Sequence, residues 1–230
     1  MRTLLLAAGL GTRLRPITNT VPKCMVPIHG KPLLDYWLDL LLNDGVERIL
    51  INTHYLPDSV NSFVAESTWS KSITLVHEDY LLGTGGTVLR NRAFSKGQAL
   101  MVAHADNLTR FKPSEFIRAH VNRSPECVMT MMTFDTDAPQ SCGVVELDER
   151  GVVQAFHEKV ANPPGIRANA AVYIFEPSVI DYIASLNKDV CDISNEVLPH
   201  FIGKIQTYHN TDYHRDIGTL ESLALAEREF

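Results

Sequence analysis

Near its amino terminus the sequence places an arginine and a lysine beside a glycine-rich loop. An apolar run ends at Gly9 and Gly11, Arg13 follows, and Lys23 comes further along. Glycines allow backbone N–H groups to approach an anion closely, and a loop that leaves a strand can form a concave nest of such groups. Arginine adds permanently charged planar donors, and lysine adds a point charge. These residue types predict a site that holds a polyphosphate, with Arg13 and Lys23 as its catalytic cations.

The spacing of this loop differs from two common phosphate-binding loops. A Walker A loop requires G-x-x-x-x-G-K-[ST], and no such string follows Gly9. The dinucleotide fingerprint G-x-G-x-x-G fails because Leu14 occupies the position of the third glycine. The second strand-like run, Arg48 to Thr53, also ends without the acidic residue that binds a ribose in such sites. The sequence therefore argues against a nicotinamide-dependent dehydrogenase.

Composition limits the class of protein. The chain has 230 residues, of which 45% are hydrophobic, enough for a substantial core. Its formal net charge of −6 argues against a general nucleic-acid surface, so phosphate binding must be local. No apolar stretch approaches the ~20 residues needed to cross a bilayer, and no charged segment precedes an apolar leader. We expect a cytoplasmic protein that binds neither nucleic acid nor membrane.

The first half of the sequence alternates between strand-like and helix-like segments. The predicted strands are residues 3–8, 48–52, 73–77 and 99–105; the predicted helices are 33–43 and 57–67, with a further helix from 87 to 92 after a glycine loop. This order predicts an α/β fold with a mainly parallel twisted sheet, right-handed crossovers and helices on both faces. Ligands gather at the carboxyl ends of such strands. Asp106 follows the fourth strand, so we expect it to share an edge with the glycine loop.

The second half has a different pattern. Predicted strands are residues 127–134, 143–147, 152–157 and 170–175, the middle two forming a hairpin; helices follow at 179–185 and after Thr219, a predicted N-cap. This pattern indicates a small mixed sheet region. We predict a single domain over residues 1–230, with a nucleotide-binding half (1–110) and a sugar-binding half (111–230).

Several strings together resemble those of the nucleotidyltransferases that act on sugar 1-phosphates. The first are Leu10-Gly11-Thr12-Arg13-Leu14-Arg15-Pro16, Pro22-Lys23 and Gly30-Lys31-Pro32. Later segments match in the expected order: Leu82-Gly83-Thr84-Gly85-Gly86, Ala105-Asp106, Glu158-Lys159 and Arg215-Asp216-Ile217-Gly218-Thr219. The resemblance covers essentially the whole chain. The Leu-Gly-Thr-Gly-Gly spelling is most similar to guanylyltransferases for mannose and manno-heptose 1-phosphates.

The resemblance implies a role for each matching residue. It assigns Arg13 to the triphosphate and Lys23 to the α-phosphate, and it assigns a Mg²⁺ cofactor to Asp106 and Asp216. The implied nucleotide-binding residues are Ala8, Gly9, Gly11, Thr12, Arg13, Gly83, Thr84 and Gly85. The implied sugar-phosphate-binding residues are Gly143, Glu158, Lys159 and Asn169.

The resemblance also implies an activity, which is the Mg²⁺-dependent transfer of a nucleoside monophosphate from a nucleoside triphosphate (NTP) to a sugar 1-phosphate. The products are a nucleotide sugar and pyrophosphate, and the leading substrates are GTP with mannose or D-glycero-D-manno-heptose 1-phosphate. Alternatives are a uridylyl- or cytidylyltransferase, whose acceptor is a sugar 1-phosphate or phosphocholine, and a non-catalytic nucleotide-sugar sensor. The sequence leaves a homo-oligomer open and does not fix the base, the sugar or any feedback inhibitor.

Overall fold

The computed structural model of the chain describes all 230 residues, which group into two compact units. Unit 1 comprises residues 1–81, 103–113 and 212–230, and unit 2 comprises residues 82–102 and 114–211. These bounds differ from those of the predicted halves, because residues 82–102 pack with the later chain and the carboxyl-terminal residues pack with the first. None of the helices has the length and apolar character needed to span a membrane.

Strands and helices alternate along much of the chain. The strands are β1 (Arg2–Leu6), β2 (Pro27–Ile28), β3 (Lys31–Pro32), β4 (Arg48–Thr53), β5 (Ile73–His77), β6 (Leu100–His104), β7 (Asn107–Arg110), β8 (Met129–Asp135), β9 (Gly143–Leu147), β10 (Val153–Glu158), β11 (Arg167–Phe175), β12 (Ile205–His209) and β13 (Tyr213–Asp216). The helices are α1 (Leu33–Leu42), α2 (Pro57–Glu66), α3 (Gly83–Arg90), α4 (Pro113–Val121), α5 (Pro177–Ser185) and α6 (Leu220–Glu229).

The parallel sheet predicted for the first half is present in unit 1. Strand β1 pairs in parallel with β4, and β4 pairs in parallel with β5. Leu4 and Leu5 of β1 and Ile49 of β4 are fully buried, as expected for apolar runs in a sheet covered on both faces. The chain enters unit 1 again within β6, and just after this strand Ala105 N donates to Leu6 O at 3.0 Å. The predicted α/β class is therefore confirmed.

A short antiparallel ribbon in unit 1 was not predicted. Strands β7 and β13 pair so that Asp216 lies opposite Asn107 and Arg215 lies opposite Leu108. The ribbon brings together two segments separated by about half of the chain. Helix α6 then begins after Thr219, whose side chain accepts from Ser222 N in a capping box, which confirms the predicted N-cap.

Unit 2 contains the mixed sheet region that the sequence predicted. Strands β9 and β10 form the expected antiparallel hairpin, β11 pairs antiparallel with β8 and β9, and β12 pairs in parallel with β8. The predicted start of the helix at Thr87 is wrong, because α3 begins at Gly83. The predicted glycine loop therefore forms the first turn of that helix.

Strand β11 contains a bulge that places Ala171 in the left-handed backbone region. Its pairing register with β8 shifts between Asn169 and Tyr173, and the φ of Ala171 is 54°. The amide of Ala171 donates to Asn169 Oδ1 at 2.9 Å. A left-handed conformation is unfavourable for residues with a Cβ atom, and such strain is often found at functional sites.

We expect Ala171→Gly to stabilise unit 2. Glycine adopts a positive φ without the Cβ clash, which should raise the free energy of unfolding by about 1 kcal/mol. The matched control is Ala168→Gly, because Ala168 lies in the same strand, is fully buried and has no positive φ. Urea denaturation of both variants measures the difference. An Ala171→Gly variant that loses as much stability as Ala168→Gly would contradict the strain argument.

Candidate active site

The glycine loop of unit 1 is shaped by Gly11. The φ of Gly11 is +63°, and its carbonyl accepts from Thr18 Oγ1 at 2.7 Å. A Cβ atom at this position would approach Thr18 Cγ2 to 2.9 Å and Lys23 Cβ to 3.2 Å. Gly11 thus brings the loop close to Lys23, and a larger residue there would push the two apart.

The other predicted residues of this loop line the exit of β1. Ala8 is buried, whereas Gly9, Thr12 and Arg13 are exposed. Thr12–Leu14 form a short 3₁₀ turn in which Arg13 is exposed and the next residue, Leu14, is fully buried. Arg13 is therefore presented to solvent on a segment that the core holds in place.

Lys23 lies between the two aspartates that were predicted to bind a metal. Its Nζ donates to Asp106 Oδ2 at 2.6 Å and to Asp216 Oδ1 at 3.2 Å. The lysine side chain is only 9% exposed, whereas the side chains of Asp106 and Asp216 are 26% and 51% exposed. The three residues come from three separate segments of unit 1, and one ammonium group bridges two carboxylates.

The charges of this cluster shift the pKa values of Lys23 and Asp106 toward their ionised forms. Burial alone would lower the pKa of Lys23, but Asp106 and Asp216 outweigh it and raise that pKa above its ordinary value. Burial alone would raise the pKa of Asp106, but Lys23 and the nearby His104 hold it below its ordinary value. The ammonium and the Asp106 carboxylate therefore both stay charged at neutral pH.

Arg13 joins the cluster through Asp216. Its Nη2 lies 3.9 Å from Asp216 Oδ2, a loose ion pair on a side chain that is 67% exposed. A Cβ atom at Gly218 would lie 2.6 Å from Asp216 Oδ2 and 2.9 Å from Arg13 Nη2. Gly218 thus makes room for both groups, a role that the sequence analysis did not assign to it.

A small apolar core holds the charged residues in place. The residues that follow Arg13 and Asp216 in the chain, Leu14 and Ile217, are fully buried in it, together with Leu108 from β7. Burying a leucine or isoleucine side chain contributes roughly 1.5–3 kcal/mol. Each apolar neighbour therefore fixes the backbone from which a charged group extends.

Helix α1 fixes the turn that carries Asp106. The buried Trp37 donates from Nε1 to Asn107 O at 2.8 Å. Ile217 N donates to Asp106 O at 3.4 Å, which ties the start of β7 to the end of β13. The predicted position of Asp106 just beyond the carboxyl end of a strand is confirmed, because β6 ends at His104.

In unit 2, the predicted base-recognition residues form the first turn of α3 and pack against Cys191. Gly85 N and Gly86 N both donate to Cys191 O, at 2.8 and 3.2 Å. A Cβ atom at Gly83 would approach Cys191 O to 2.5 Å, and one at Gly85 would approach Cys191 Sγ to 2.8 Å. The close approach of Cys191 therefore explains why these positions are glycine. Their assignment to base recognition stays a prediction.

Three of the predicted sugar-site residues of unit 2 lie on neighbouring strands, and the fourth, Lys159, follows one of these strands. Gly143 of β9 pairs with Glu158 of β10, and Ala168 of β11 pairs with Val144 of β9. A Cβ atom at Gly143 would approach Glu158 Oε2 to 2.6 Å. The same Cβ atom would approach Cζ of the Phe156 ring to 2.5 Å, so Gly143 leaves room for both this ring and the Glu158 carboxylate.

Lys159 and Asn169 are held in different ways. Lys159 follows β10 with a φ of 51°, and its Nζ lies 3.2 Å from Glu158 Oε1 on a side chain that is 65% exposed. Asn169 Nδ2 donates to the hydroxyl of the buried Tyr173 at 2.7 Å. Lys159 is thus an exposed cation paired with Glu158, whereas Asn169 is fixed at both ends of its amide. Tyr173 was not predicted from the sequence.

We expect Lys23→Met to destabilise unit 1 at neutral pH and to cost less in acid. Removing the ammonium leaves the Asp106 carboxylate without its partner, a loss of about 1–3 kcal/mol. Because Lys23 lowers the pKa of Asp106, this stabilisation is present above the unfolded pKa of ~3.9 and is lost as the pH falls through the lower folded value.

Urea denaturation of wild type and variant at about pH 7 and about pH 3 tests this expectation. The difference in unfolding free energy should shrink at the lower pH. Lys71→Met is the control, because Lys71 is exposed on unit 1 and should change stability by less than ~0.5 kcal/mol. A Lys23→Met difference that stays constant with pH would show that Lys23 does not control the ionisation of Asp106.

Comparison with known proteins identifies related sequences over most of the chain. The family model described as nucleotidyl transferase matches residues 2–230. A mannose-1-phosphate guanylyltransferase from Mycobacterium tuberculosis is 33% identical over 223 residues, which cover 95% of this chain and 61% of that protein. A UTP–glucose-1-phosphate uridylyltransferase from Synechocystis is 30% identical over 216 residues, or 88% of this chain and 55% of that protein. The chain thus spans less than two thirds of the length of these relatives.

Solved structures share the fold. The crystal structure of HddC from Yersinia pseudotuberculosis complexed with GMP-PN has a TM-score of 0.83 and 26% identity, and the match covers 100% of this chain and 99% of that one. A structure from Bacillus anthracis, described as a glucose-1-phosphate thymidylyltransferase, has a TM-score of 0.86 over 99% of this chain and 94% of that one; at 23% identity it supports the fold alone. The matches cover the glycine loop of unit 1, the charged cluster and the strands that carry them, and the chain belongs to the nucleotidyl transferase family.

Proposed function

We propose that this protein transfers a nucleoside monophosphate from an NTP to a sugar 1-phosphate and releases pyrophosphate. A phosphate oxygen of the sugar 1-phosphate forms the new bond to the α-phosphorus, and the bond from that phosphorus to the bridging oxygen of the β-phosphate breaks. The observation that carries the proposal is the cluster in unit 1, where Lys23 bridges Asp106 and Asp216 beside the glycine loop and Arg13.

The chemistry of this transfer matches the groups present. The attacking phosphate oxygen is already ionised, so the reaction does not require a general base. Two anions must approach each other while negative charge builds on the departing pyrophosphate. Catalysis of this kind rests on positioning and on neutralising charge, for which arginine, lysine and backbone N–H groups are suited.

The exposed Arg13 is the group proposed to bind the β- and γ-phosphates. Its only ion pair is the 3.9 Å contact with Asp216, which is long enough to be exchanged for a phosphate. Backbone N–H groups of the glycine loop supply further donors beside it. Gly218 keeps this space open, because any side chain there would meet the Arg13 guanidinium.

Lys23 is proposed to bind the α-phosphate, and Asp106 and Asp216 are proposed to hold Mg²⁺. Two carboxylates that one ammonium group can bridge fit the ligand preference of Mg²⁺, which takes one or two carboxylates together with phosphate oxygens. When bound, Mg²⁺ neutralises phosphate charge and orients the triphosphate. With Mg²⁺ on the two carboxylates, the Lys23 ammonium would be free to donate to a phosphate oxygen.

Residues of unit 2 are proposed to select the sugar 1-phosphate. Glu158 and Asn169 offer a carboxylate and an amide for sugar hydroxyls, and Lys159 offers a cation for the phosphate. A protein side chain that hydrogen-bonds a sugar hydroxyl discriminates against sugars without that hydroxyl, because the side chain is then left without a hydrogen-bond partner. The surface position of Lys159 suits a group that must follow an incoming anion.

The leading substrates are GTP and a manno-configured sugar 1-phosphate. Support comes from the relatives, because the guanylyltransferase of M. tuberculosis has 33% identity and the similar HddC structure holds GMP-PN. The uridylyltransferase of Synechocystis, at 30% identity, supports UTP with glucose 1-phosphate as the second candidate. Both candidates use the same cluster in unit 1.

Pyrophosphate release is the direct test. We expect release with Mg²⁺, GTP and mannose or manno-heptose 1-phosphate, measured across a grid of four NTPs and a panel of sugar 1-phosphates with phosphocholine. Release with another pair of substrates would support the proposed reaction and correct the proposed nucleotide and sugar. If folded protein releases no pyrophosphate with any substrate pair but still binds nucleotide sugars in calorimetry, the result would contradict the proposed transferase activity and indicate a sensor.

We expect Asp106→Ala to lower turnover at least 100-fold, since charge stabilisation at the reacting phosphates is the main catalytic effect. The variant should keep nucleotide binding through Arg13 and Lys23 and should need a higher Mg²⁺ concentration for its residual activity. Asp181→Ala is the control, because Asp181 is exposed on α5 in unit 2. Near-normal turnover of Asp106→Ala at limiting Mg²⁺ would remove Asp106 from the metal site.

A further inference from the structure

A cleft of about 380 Å³ in unit 2 opens at the carboxyl-terminal ends of α3 and α5. This volume is near the lower end of the range of roughly 300–1,000 Å³ that small-molecule sites occupy. Two stretches of chain line it: Leu89, Arg90 and Arg92 from the first, and Ala184, Asn187, Lys188 and Asp189 from the second. The side chains around this cleft are therefore mostly polar, and the charged ones are mainly cations.

Two arginines of the cleft have no partner within the protein. Arg90 ends α3, Arg92 lies just beyond it, and both side chains are exposed without an ion pair or a hydrogen bond. A guanidinium group binds two phosphate oxygens at once through its planar donors. Together with Lys188 and Asp189, the arginines give the cleft a formal charge of +2. That charge matches the about −1.5 to −2 of one phosphate group.

The third cation of the cleft is connected to the first turn of α3. Lys188 Nζ donates to Glu196 Oε1, and Glu196 Oε2 accepts from Asp192 N at 3.0 Å. Asp192 Oδ2 accepts in turn from Thr84 Oγ1 at 3.2 Å. An anion that draws the ammonium away from Glu196 therefore acts on a carboxylate that holds the partner of Thr84.

The chain that follows Lys188 also packs directly on this turn. A Cβ atom at Gly86 would approach Asp189 O to 2.4 Å. Gly85 N donates to Cys191 O at 2.8 Å, and Cys191 N donates to Leu82 O at 3.0 Å. Because the two backbones are in contact, a displacement of residues 188–192 would reach the first turn of α3 without passing through other elements.

We propose that this cleft binds a small molecule that carries one phosphate group, and that its binding weakens recognition of the NTP base by the first turn of α3. Arg90 and Arg92 bind the phosphate, and Lys188 turns from Glu196 toward it. The regulation rests on the proposed function and on the predicted role of α3 in base recognition, whereas the binding of phosphate depends on neither.

Arginine modification tests the site itself. Phenylglyoxal reacts with accessible guanidinium groups, and mass spectrometry of the digested protein gives the rate at each arginine. At constant ionic strength, we expect saturating inorganic phosphate to slow the modification of Arg90 and Arg92 about fivefold. Arg118 is the control, because it is exposed on α4 of unit 2 and has no ion pair. No slowing, or equal slowing at all three arginines, would overturn the site.

A second probe, glycerol 3-phosphate, distinguishes two sources of the phosphate group. Leu89 and Ala184 offer an apolar wall beside the cations. Stronger protection by glycerol 3-phosphate than by inorganic phosphate at the same concentration would support the site and assign it to a phosphate ester. Equal protection by the two probes would support the site and assign it to the free ion.

Steady-state kinetics test the regulation, with nucleotide-sugar formation followed by chromatography. We expect inorganic phosphate to raise the KM for the NTP about fivefold in wild type. The double variant Arg90→Gln, Arg92→Gln should have wild-type activity without phosphate and should lose most of this response. Arg118→Gln is the matched control and should respond as wild type does. A double variant that is as sensitive to phosphate as wild type would overturn the regulation.

The two experiments separate this inference from the proposed function. Wild-type protein that shows no turnover on the substrate grid would contradict the transferase, whereas protection of Arg90 and Arg92 would still support the phosphate site. In that case calorimetry replaces kinetics, and phosphate should lower the affinity of wild type for the NTP more than that of the double variant. Equal losses of affinity in the two proteins would overturn the regulation.

Discussion

The Lys23 ammonium between Asp106 and Asp216 is the interaction on which the site in unit 1 depends. A lysine with 9% side-chain exposure needs a charged partner, because burying an unpaired charge is costly. Two aspartates from distant parts of the chain provide it, and the core around Leu14 and Ile217 holds the backbone near them. The same arrangement holds the Asp106 and Asp216 carboxylates close together around one ammonium group, an arrangement of oxygen atoms that suits a divalent cation.

The sequence predicted those parts of the site that depend on local pattern. Gly11, Arg13 and Lys23 lie in one stretch of chain, and Asp106 could be placed because an apolar strand ends just before it. The β7–β13 ribbon was not predicted, since its strands are short and their pairing joins residues far apart in sequence. The proximity of Asp216 to Asp106 therefore came from the family resemblance and could not come from periodicity.

The first turn of α3 shows the opposite effect, in which tertiary contacts override propensity. Glycine disfavours helix by about 1 kcal/mol per residue, so Gly83 to Gly86 was predicted as a loop. The helix includes these residues because the Cys191 carbonyl accepts from Gly85 N and Gly86 N, and no larger side chain would fit there. The contact with Cys191 joins residues far apart in the sequence, so local composition could not predict it.

Close approach explains why glycines accompany the charged residues in both units. Gly218 adjoins the Asp216 carboxylate and the Arg13 guanidinium, and Gly143 adjoins the Glu158 carboxylate. In each case a β-carbon would fall within 3 Å of a polar atom that is proposed to meet a ligand. The absence of a side chain at Gly218 and Gly143 therefore leaves space beside these charged groups.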